Sequence, residues 1–117
     1  MPRILVVDDE PLISMLVEDW LNELGCEVVG PARCVADGLD LAEGTELDAA
    51  ILDVNLAGES SLSLANVLKL KGVPVAFATG DSGLDDDAGF PDPILLSKPF
   101  VFEDVKAVIG KLLKPTA

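Results

Sequence analysis

The 117-residue sequence contains no histidine. This absence excludes imidazole catalysis, zinc sites built on histidine, and phosphate carried on a histidine of this chain. Carboxylates, hydroxyls, amines and thiols are the chemical groups that remain available for a reaction.

Basic residues are also scarce. The chain has 8 Lys and Arg against 21 Asp and Glu, which gives a formal net charge of −13. Such a surface repels phosphate backbones and anionic lipid, so we expect protein partners and no nucleic-acid or membrane binding. Hydrophobic residues make up 50% of the sequence, which is enough for one buried core and excludes a disordered acidic tail. We therefore expect a single domain over residues 1–117.

The sequence lacks an export signal and a paired-cysteine motif. The apolar run at residues 4–7 stops at Asp8, which makes it too short for the core of a signal peptide. Cys26 and Cys34 lack CxxC spacing, and we interpret both as small packing residues. A cytoplasmic location is the one that fits these observations.

Five short apolar runs rich in Val and Ile predict buried strands. They lie at residues 4–7, 28–29, 49–52, 73–78 and 94–96. Amphipathic stretches between and after them predict four helices. The first covers residues 12–24 and is closed by Gly25, and the second covers residues 35–42, is weakened by Gly38 and is ended by Gly44. Ser60 and Ser61 can cap the third. The last runs through the apolar residues from Val105 to Leu113, with acids at its start and lysines at its end.

The alternation of strands and helices predicts the fold class. The helical crossovers make the strands parallel, and right-handed connections between them give an α/β doubly wound sandwich of three layers. The link at residues 81–93 breaks the pattern, because it is rich in Gly, Pro and Asp. We expect a reduced or irregular fourth helix there, of at most about two turns.

Polar residues collect at the predicted carboxyl ends of the strands, where ligands bind in open parallel sheets. They are Asp8, Asp9, Glu10, Asp53, Thr79 and Lys98. Each has an ordinary explanation as a cap, turn or surface residue. Together, however, they bring carboxylates close enough to repel by about 1 kcal/mol per pair in water and more inside a protein. A hard divalent cation with oxygen ligands, for which Mg²⁺ is suited, would turn that cost into a binding site.

The same residues suit phosphoryl transfer, which needs an in-line nucleophile, a metal and donors for the phosphoryl oxygens. Asp53 is a candidate nucleophile, as carboxylates are in enzymes that form aspartyl phosphate. Lys98 would attract a second oxygen by its charge, and the Thr79 hydroxyl would donate to a third.

Over its whole length the sequence closely resembles the receiver domain of two-component response regulators. The likeness rests on residues 4–10 (ILVVDDE), 52–55 (LDVN), 78–80 (ATG) and 97–99 (SKP). It implies a flavodoxin-like, CheY-like fold with a five-stranded parallel sheet in the order 2-1-3-4-5. It also implies that Asp53 accepts a phosphoryl group from the phosphohistidine of a sensor histidine kinase.

The resemblance further implies a metal site and a switch. Mg²⁺ or Mn²⁺ is expected among Asp8, Asp9, Asp53 and the main-chain carbonyl of Asn55, with Asp8 bound directly or through water. Lys98 is expected to pair with Asp53 or its phosphate, Thr79 to move inward as the switch, and the peptide bond before Pro99 to be cis.

Two positions near the site correspond to tuning positions of the family. Asn55 and Asp81 follow Asp53 and Thr79 by two residues each. Family members use these positions to regulate the access of water to the acyl phosphate. The resemblance therefore implies that Asn55 and Asp81 tune dephosphorylation.

The sequence departs from the family pattern in two places. Receivers usually carry Tyr or Phe three residues before the lysine, and this chain has Leu95, so the aromatic half of the switch is missing. Residues 77–80 (FATG) resemble the start of the "FAT GUY" motif, typical of a receiver subgroup found largely in alphaproteobacteria. The motif continues into an aromatic residue, whereas this chain reads Asp81-Ser82-Gly83. The partial likeness implies a reduced fourth helix and a kinase of the HWE type.

We expect residues 114–117 to be only a tail after the last helix. We expect a single-domain regulator without an output domain, monomeric or weakly dimeric, that signals to a downstream protein target or phosphotransfer protein. We expect no enzymatic activity beyond self-catalysed phosphotransfer and autodephosphorylation. Two alternatives stay open. One is a phosphorylation-independent interaction domain of the same fold. The other is a magnesium-dependent phosphohydrolase with an aspartyl nucleophile, which usually has a second aspartate where this chain has Asn55.

Overall fold

The computed structural model describes residues 1–56, 58–79 and 94–113. In chain order, the elements are β1 (Arg3–Val7), α1 (Pro11–Glu23), β2 (Glu27–Ala32), α2 (Val35–Gly44), β3 (Ala49–Asp53), β4 (Asn55–Leu56), β5 (Glu59–Ser60), α3 (Leu62–Leu70), β6 (Val75–Thr79), β7 (Ile94–Ser97) and α4 (Phe102–Leu112).

Five strands form one parallel sheet in the order β2-β1-β3-β6-β7. The predicted order 2-1-3-4-5 is thereby confirmed. The chain runs outward from β1 to β2 and then returns across β1 to β3, so the strand order reverses between β1 and β3. A crevice at the carboxyl ends of these two strands is the usual ligand position in such sheets.

Helices cover both faces of the sheet, which explains why its strands are continuous apolar runs. In β1, Ile4 and Val6 belong to a core shared with α1 and α4, whereas Leu5 and Val7 belong to a core shared with α2 and α3. Successive side chains of a strand point to opposite faces, so one strand contributes to both cores.

An aromatic cluster joins α1 to the start of α4. Trp20 contacts Phe100 and Phe102 edge-on, with ring centroids 6.3 Å apart in both pairs. Edge-to-face contact is a favoured arrangement of aromatic rings. The cluster therefore fixes the segment that follows Lys98 and Pro99 against α1.

The helices agree with the predicted ones except at their ends. Pro11 occupies the first turn of α1, where its missing N–H costs nothing, and Gly25 follows the helix with a φ of +80°. The expectation that Ser61 caps α3 is wrong, because its buried hydroxyl donates to the carbonyl of Val54. The Ser60 hydroxyl instead accepts a hydrogen bond from the N–H of Leu62.

Three local features differ from the predicted strands. β2 runs over Glu27–Ala32, whereas the predicted strand covered only residues 28–29. The short strands β4 and β5 form an antiparallel pair, which no periodic pattern of apolar residues predicted. The strand predicted at residues 73–78 begins at Val75, because the N–H of Val73 bonds the carbonyl of Leu68 and so belongs to the turn after α3.

Cys26 is buried and Cys34 half-buried, and both are free thiols, as expected of packing residues. Burial raises the pKa of the Cys26 thiol.

Among the described residues no helix is long and apolar enough to cross a membrane. The fourth helix expected within residues 81–93 lies outside the described residues.

The structure explains why a glycine stands inside α2. A Cβ at Gly38 would lie 2.6 Å from Leu64 Cδ2 and 3.4 Å from Val7 Cγ2, and Leu64 is fully buried in α3. The absence of a side chain thus allows α2 to pack closely on α3.

We expect Gly38→Ala to lower the free energy of unfolding by roughly 1 kcal/mol, because overpacking outweighs the gain in helix propensity. Gly110→Ala in α4 is the matched control, since its Cβ would meet no atom within 4 Å. The control should raise stability by roughly 0.5–1 kcal/mol. Urea denaturation of both variants measures the difference, and equal stabilisation of the two would contradict close packing at Gly38.

Candidate functional site

Four carboxylates meet at the reversal point of the sheet. Asp8 directly follows β1 and Asp53 ends β3, and the two strands pair with Val7 opposite Leu52. Oxygen atoms of Asp8, Asp9, Glu10 and Asp53 all lie within 4.8 Å of one another. A group of several carboxylates at this spacing is a donor set that fits Mg²⁺ or Mn²⁺, both of which prefer oxygen ligands.

The two central carboxylates are buried, with exposed fractions of 4% for Asp8 and 6% for Asp53. The pKa of Asp8 is raised from 3.8 to about 6, mainly by burial and to a smaller extent by the charges of Asp53 and Glu10. The N–H of Glu10 and the Lys98 ammonium oppose this shift. The ionised form of Asp8 is therefore costly in the absence of a cation.

Hydrogen bonds fix the loop that carries Asp8. Its Oδ1 accepts from the N–H of Glu10 at 2.8 Å, and its own N–H donates to the carbonyl of Ala32 at 3.0 Å. The buried hydroxyl of Ser14 in α1 donates to the Asp8 carbonyl at 3.3 Å. Sequence reasoning missed Ser14, although a lone serine among the apolar residues of an amphipathic helix is a recognisable signal.

Lys98 binds the carboxylates across the crevice. Its Nζ lies 3.0 Å from Asp53 Oδ2 and 3.7 Å from Asp8 Oδ2, and its side chain is 18% exposed. Burial by itself lowers the pKa of Lys98, but the hydrogen bond to Asp53 and the charges of Asp8 and Asp53 outweigh it, so that the pKa stands above its usual value. Lys98 is therefore a fixed cation at this edge of the sheet.

Thr79 lies on β6, the strand next to that of Asp53, and Leu95 lies one strand further, on β7. Thr79 is buried at the end of β6, and its carbonyl accepts from the N–H of Lys98 at 2.8 Å. Leu95 lies in β7 opposite Phe77 and is partly exposed. It has no aromatic ring that could rotate when Thr79 moves. The Lys98-Pro99 peptide bond is cis, which is the geometry that the resemblance implies.

Asn55 uses its side chain to shape the loop after Asp53. Its Oδ1 accepts from the N–H of Gly58 at 2.8 Å, across the turn between β4 and β5. Its own N–H donates to Asp53 Oδ1 at 3.2 Å, so its backbone lies beside the buried carboxylate. Asp81, the second expected tuning residue, lies outside the described residues.

The structure identifies Lys98 as the partner of Glu10 in the site. Its Oε1 lies 3.2 Å from Lys98 Nζ, although Glu10 is mostly exposed. The sequence places Glu10 in the acidic run after β1, but the run alone does not indicate which acid faces the lysine.

Comparisons with known proteins agree with this geometry. The family model of the response regulator receiver domain matches residues 4–109. The phyllosphere-induced regulator PhyR of Methylorubrum extorquens is 38% identical over 115 residues, which cover 95% of this chain and 43% of PhyR. The chain thus spans less than half of the length of this relative.

Three solved structures match over nearly the full length of both chains. The solution structure of SdrG from Sphingomonas melonis Fr1 is 42% identical, with a TM-score of 0.85 and 97% of each chain covered. SdrG in its BeF3-activated conformation is 43% identical, with a TM-score of 0.79 and 95% of each chain covered. The response regulator TrrA of Thermotoga maritima, in complex with Mg²⁺ and BeF, is 33% identical, with a TM-score of 0.84, and the match covers 97% of this chain and all of TrrA.

The matches extend over the whole sheet and both helical layers. They also include relatives in which a phosphoryl mimic has been bound. Receiver domains are signalling domains rather than enzymes. By sequence, by strand order and by overall structure, this chain belongs to the response regulator receiver domain family of two-component systems.

Proposed function

We propose that this chain accepts a phosphoryl group on Asp53 from a sensor histidine kinase, in a reaction that requires Mg²⁺. The single observation that carries the proposal is the contact between Lys98 and the buried Asp53, inside a cluster of four carboxylates at the reversal point of the sheet. The phosphorylated domain then signals by binding a downstream protein target or a phosphotransfer protein.

The chain's own residues supply the parts of the reaction. A carboxylate oxygen of Asp53 forms the new bond to phosphorus while the bond to the donor's histidine nitrogen breaks, and that nitrogen leaves with the electron pair. Lys98 neutralises charge beside Asp53, and the Thr79 hydroxyl at the end of β6 donates to a phosphoryl oxygen.

Asp8, Asp9, Asp53 and the main-chain carbonyl of Asn55 would bind the cation. When bound, the cation neutralises charge shared by the carboxylates and the incoming phosphoryl group. The backbone of Asn55 already lies at Asp53, and the bond from its side chain to Gly58 fixes the loop there. We infer that Asn55 affects dephosphorylation by positioning this loop. The tuning role of Asp81 stays a prediction.

The proposed switch uses Thr79 and the segment that follows it. Phosphorylation adds negative charge and three acceptor oxygens at Asp53, which attract the Thr79 hydroxyl. Leu95 has no ring to rotate, so we propose that the change reaches the surface through residues 80–98. A cytoplasmic location and a kinase of the HWE type are parts of the same proposal.

Phosphotransfer from a panel of purified, autophosphorylated histidine kinases tests the proposal. We expect rapid transfer from one kinase or a few, with Mg²⁺ present, and no transfer after chelation of the metal. Amide exchange of the labelled protein should then change across residues 80–98. Failure of every kinase and of acetyl phosphate to label the chain would favour a phosphorylation-independent interaction domain, whereas multiple turnover of a phosphate ester would favour a phosphohydrolase.

A further inference from the structure

The contact between Glu10 and Lys98 has no part in the proposed reaction. We propose that Glu10 is a positioning residue, which restrains Lys98 in the unphosphorylated domain and thereby slows phosphoryl transfer to Asp53. This inference rests on the proposed function of Asp53 and concerns the control of its rate.

Backbone bonds fix both partners of this ion pair. The N–H of Glu10 donates to Asp8 Oδ1 at 2.8 Å, and its carbonyl accepts from the N–H of Ser14 in the first turn of α1 at 3.0 Å. On the other side, the N–H of Lys98 donates to the carbonyl of Thr79 at 2.8 Å. The two side chains are 88 positions apart in sequence, and these bonds hold their backbones in place on opposite sides of the crevice.

Glu10 competes with the phosphoryl group for a single ammonium. Lys98 Nζ is shared among Asp53 at 3.0 Å, Glu10 at 3.2 Å and Asp8 at 3.7 Å. An ammonium has three N–H donors and no acceptor, so a bond retained to Glu10 leaves fewer donors for a phosphoryl oxygen. The Glu10 carboxylate also repels an approaching phosphate dianion, and removing its charge should favour phosphorylation for both reasons.

The restraint is weak enough to be released. The side chain of Glu10 is 59% exposed, and exposed ion pairs are screened by water and salt. We therefore expect Glu10→Gln to accelerate phosphorylation by about two- to fivefold.

The ion pair between Arg3 and Glu27 offers a matched control. Its atoms lie 2.8 Å apart, Glu27 is 53% exposed, and the pair joins the amino ends of β1 and β2, at the sheet edge away from Asp53. Glu27→Gln removes one negative charge and one exposed ion pair, as Glu10→Gln does. Only the position relative to Lys98 differs.

Two rates measured on the wild type and both variants test the inference. The first is acetylation of the Lys98 amine by acetic anhydride without a phosphate donor, followed by mass spectrometry. The second is phosphorylation of Asp53 by acetyl phosphate with Mg²⁺. We expect both rates to rise about two- to fivefold in Glu10→Gln and to stay near the wild-type values in Glu27→Gln.

Each other result overturns the inference in a recognisable way. Unchanged acetylation of Lys98 would mean that Glu10 does not restrain the amine, and equal acceleration in both variants would show an effect of net charge alone. Slower phosphorylation in Glu10→Gln, with faster acetylation of Lys98, would indicate that Glu10 helps to bind Mg²⁺. If acetyl phosphate does not label the wild type, the proposed function fails, whereas the acetylation rates still report on the ion pair.

Discussion

Replacing Asp53 by asparagine is expected to abolish labelling of the chain by acetyl phosphate and by any cognate kinase. An amide lacks the anionic oxygen that attacks phosphorus. The other buried acid, Asp8, lies 3.7 Å from Lys98 Nζ, whereas Asp53 is hydrogen-bonded to it at 3.0 Å. Mass spectrometry of the intact protein, with Mg²⁺ and donor present, measures the incorporated phosphoryl group.

The variant should still fold, which makes the result interpretable. Asparagine has nearly the shape of aspartate and keeps an oxygen that accepts from the N–H of Asn55. Asp40→Asn, an exposed position in α2, controls for the loss of one negative charge and should be labelled at the wild-type rate. Labelling retained in Asp53→Asn would place the phosphoacceptor on another residue.

Asp8→Asn should stabilise the metal-free domain and weaken its binding of Mg²⁺. Burial raises the pKa of Asp8 from 3.8 to about 6, which means that its ionised form is unfavourable in the folded state. Loss of the contact with Lys98 opposes part of the gain, and we expect a net stabilisation of about 1–2 kcal/mol. For a domain of this size, that raises the melting temperature by roughly 4–8 °C.

The pH dependence of stability follows from the same shift. Between pH 3.8 and about 6, the folded state binds more protons at Asp8 than the unfolded state does. The stability of the metal-free wild type should therefore fall as pH rises through this window, and the decrease should be complete above it. Asp8→Asn should lack this component of the decrease.

Thermal denaturation in EDTA, at several pH values, measures the stability of both proteins, and calorimetric titration measures the affinity for Mg²⁺. We expect the affinity of Asp8→Asn to fall about tenfold or more, because a charged ligand is lost. Asp9→Asn should change both quantities in the same direction. Lower melting temperatures in EDTA for both variants would contradict a repulsive cluster.

The position of the site could be predicted from sequence because parallel strands end at one edge of a sheet. Apolar runs located β1, β3, β6 and β7 to within about two residues. The polar residues that follow these runs could therefore be predicted to lie close together. Strand order itself came from the resemblance to receiver domains. The alternation of strands and helices establishes only that the sheet is parallel.

The remaining features depend on contacts between residues that no periodic pattern relates. The turn that Asn55 closes with Gly58 involves strands of two residues each, too short for alternation to be detected. The hydroxyl of Ser61 bonds Val54 instead of capping α3, because the tertiary packing buries it. Likewise, the choice of Glu10 as a partner of Lys98 depends on the direction in which the chain enters α1.

The ring cluster around Trp20 has a practical consequence for measuring the domain. The sequence contains one tryptophan and no tyrosine, so ultraviolet emission of the folded protein comes almost entirely from one indole. That indole lies against Phe100 and Phe102, just beyond the strand end that carries Lys98. The protein thus contains a native optical probe of this corner, which requires no attached dye.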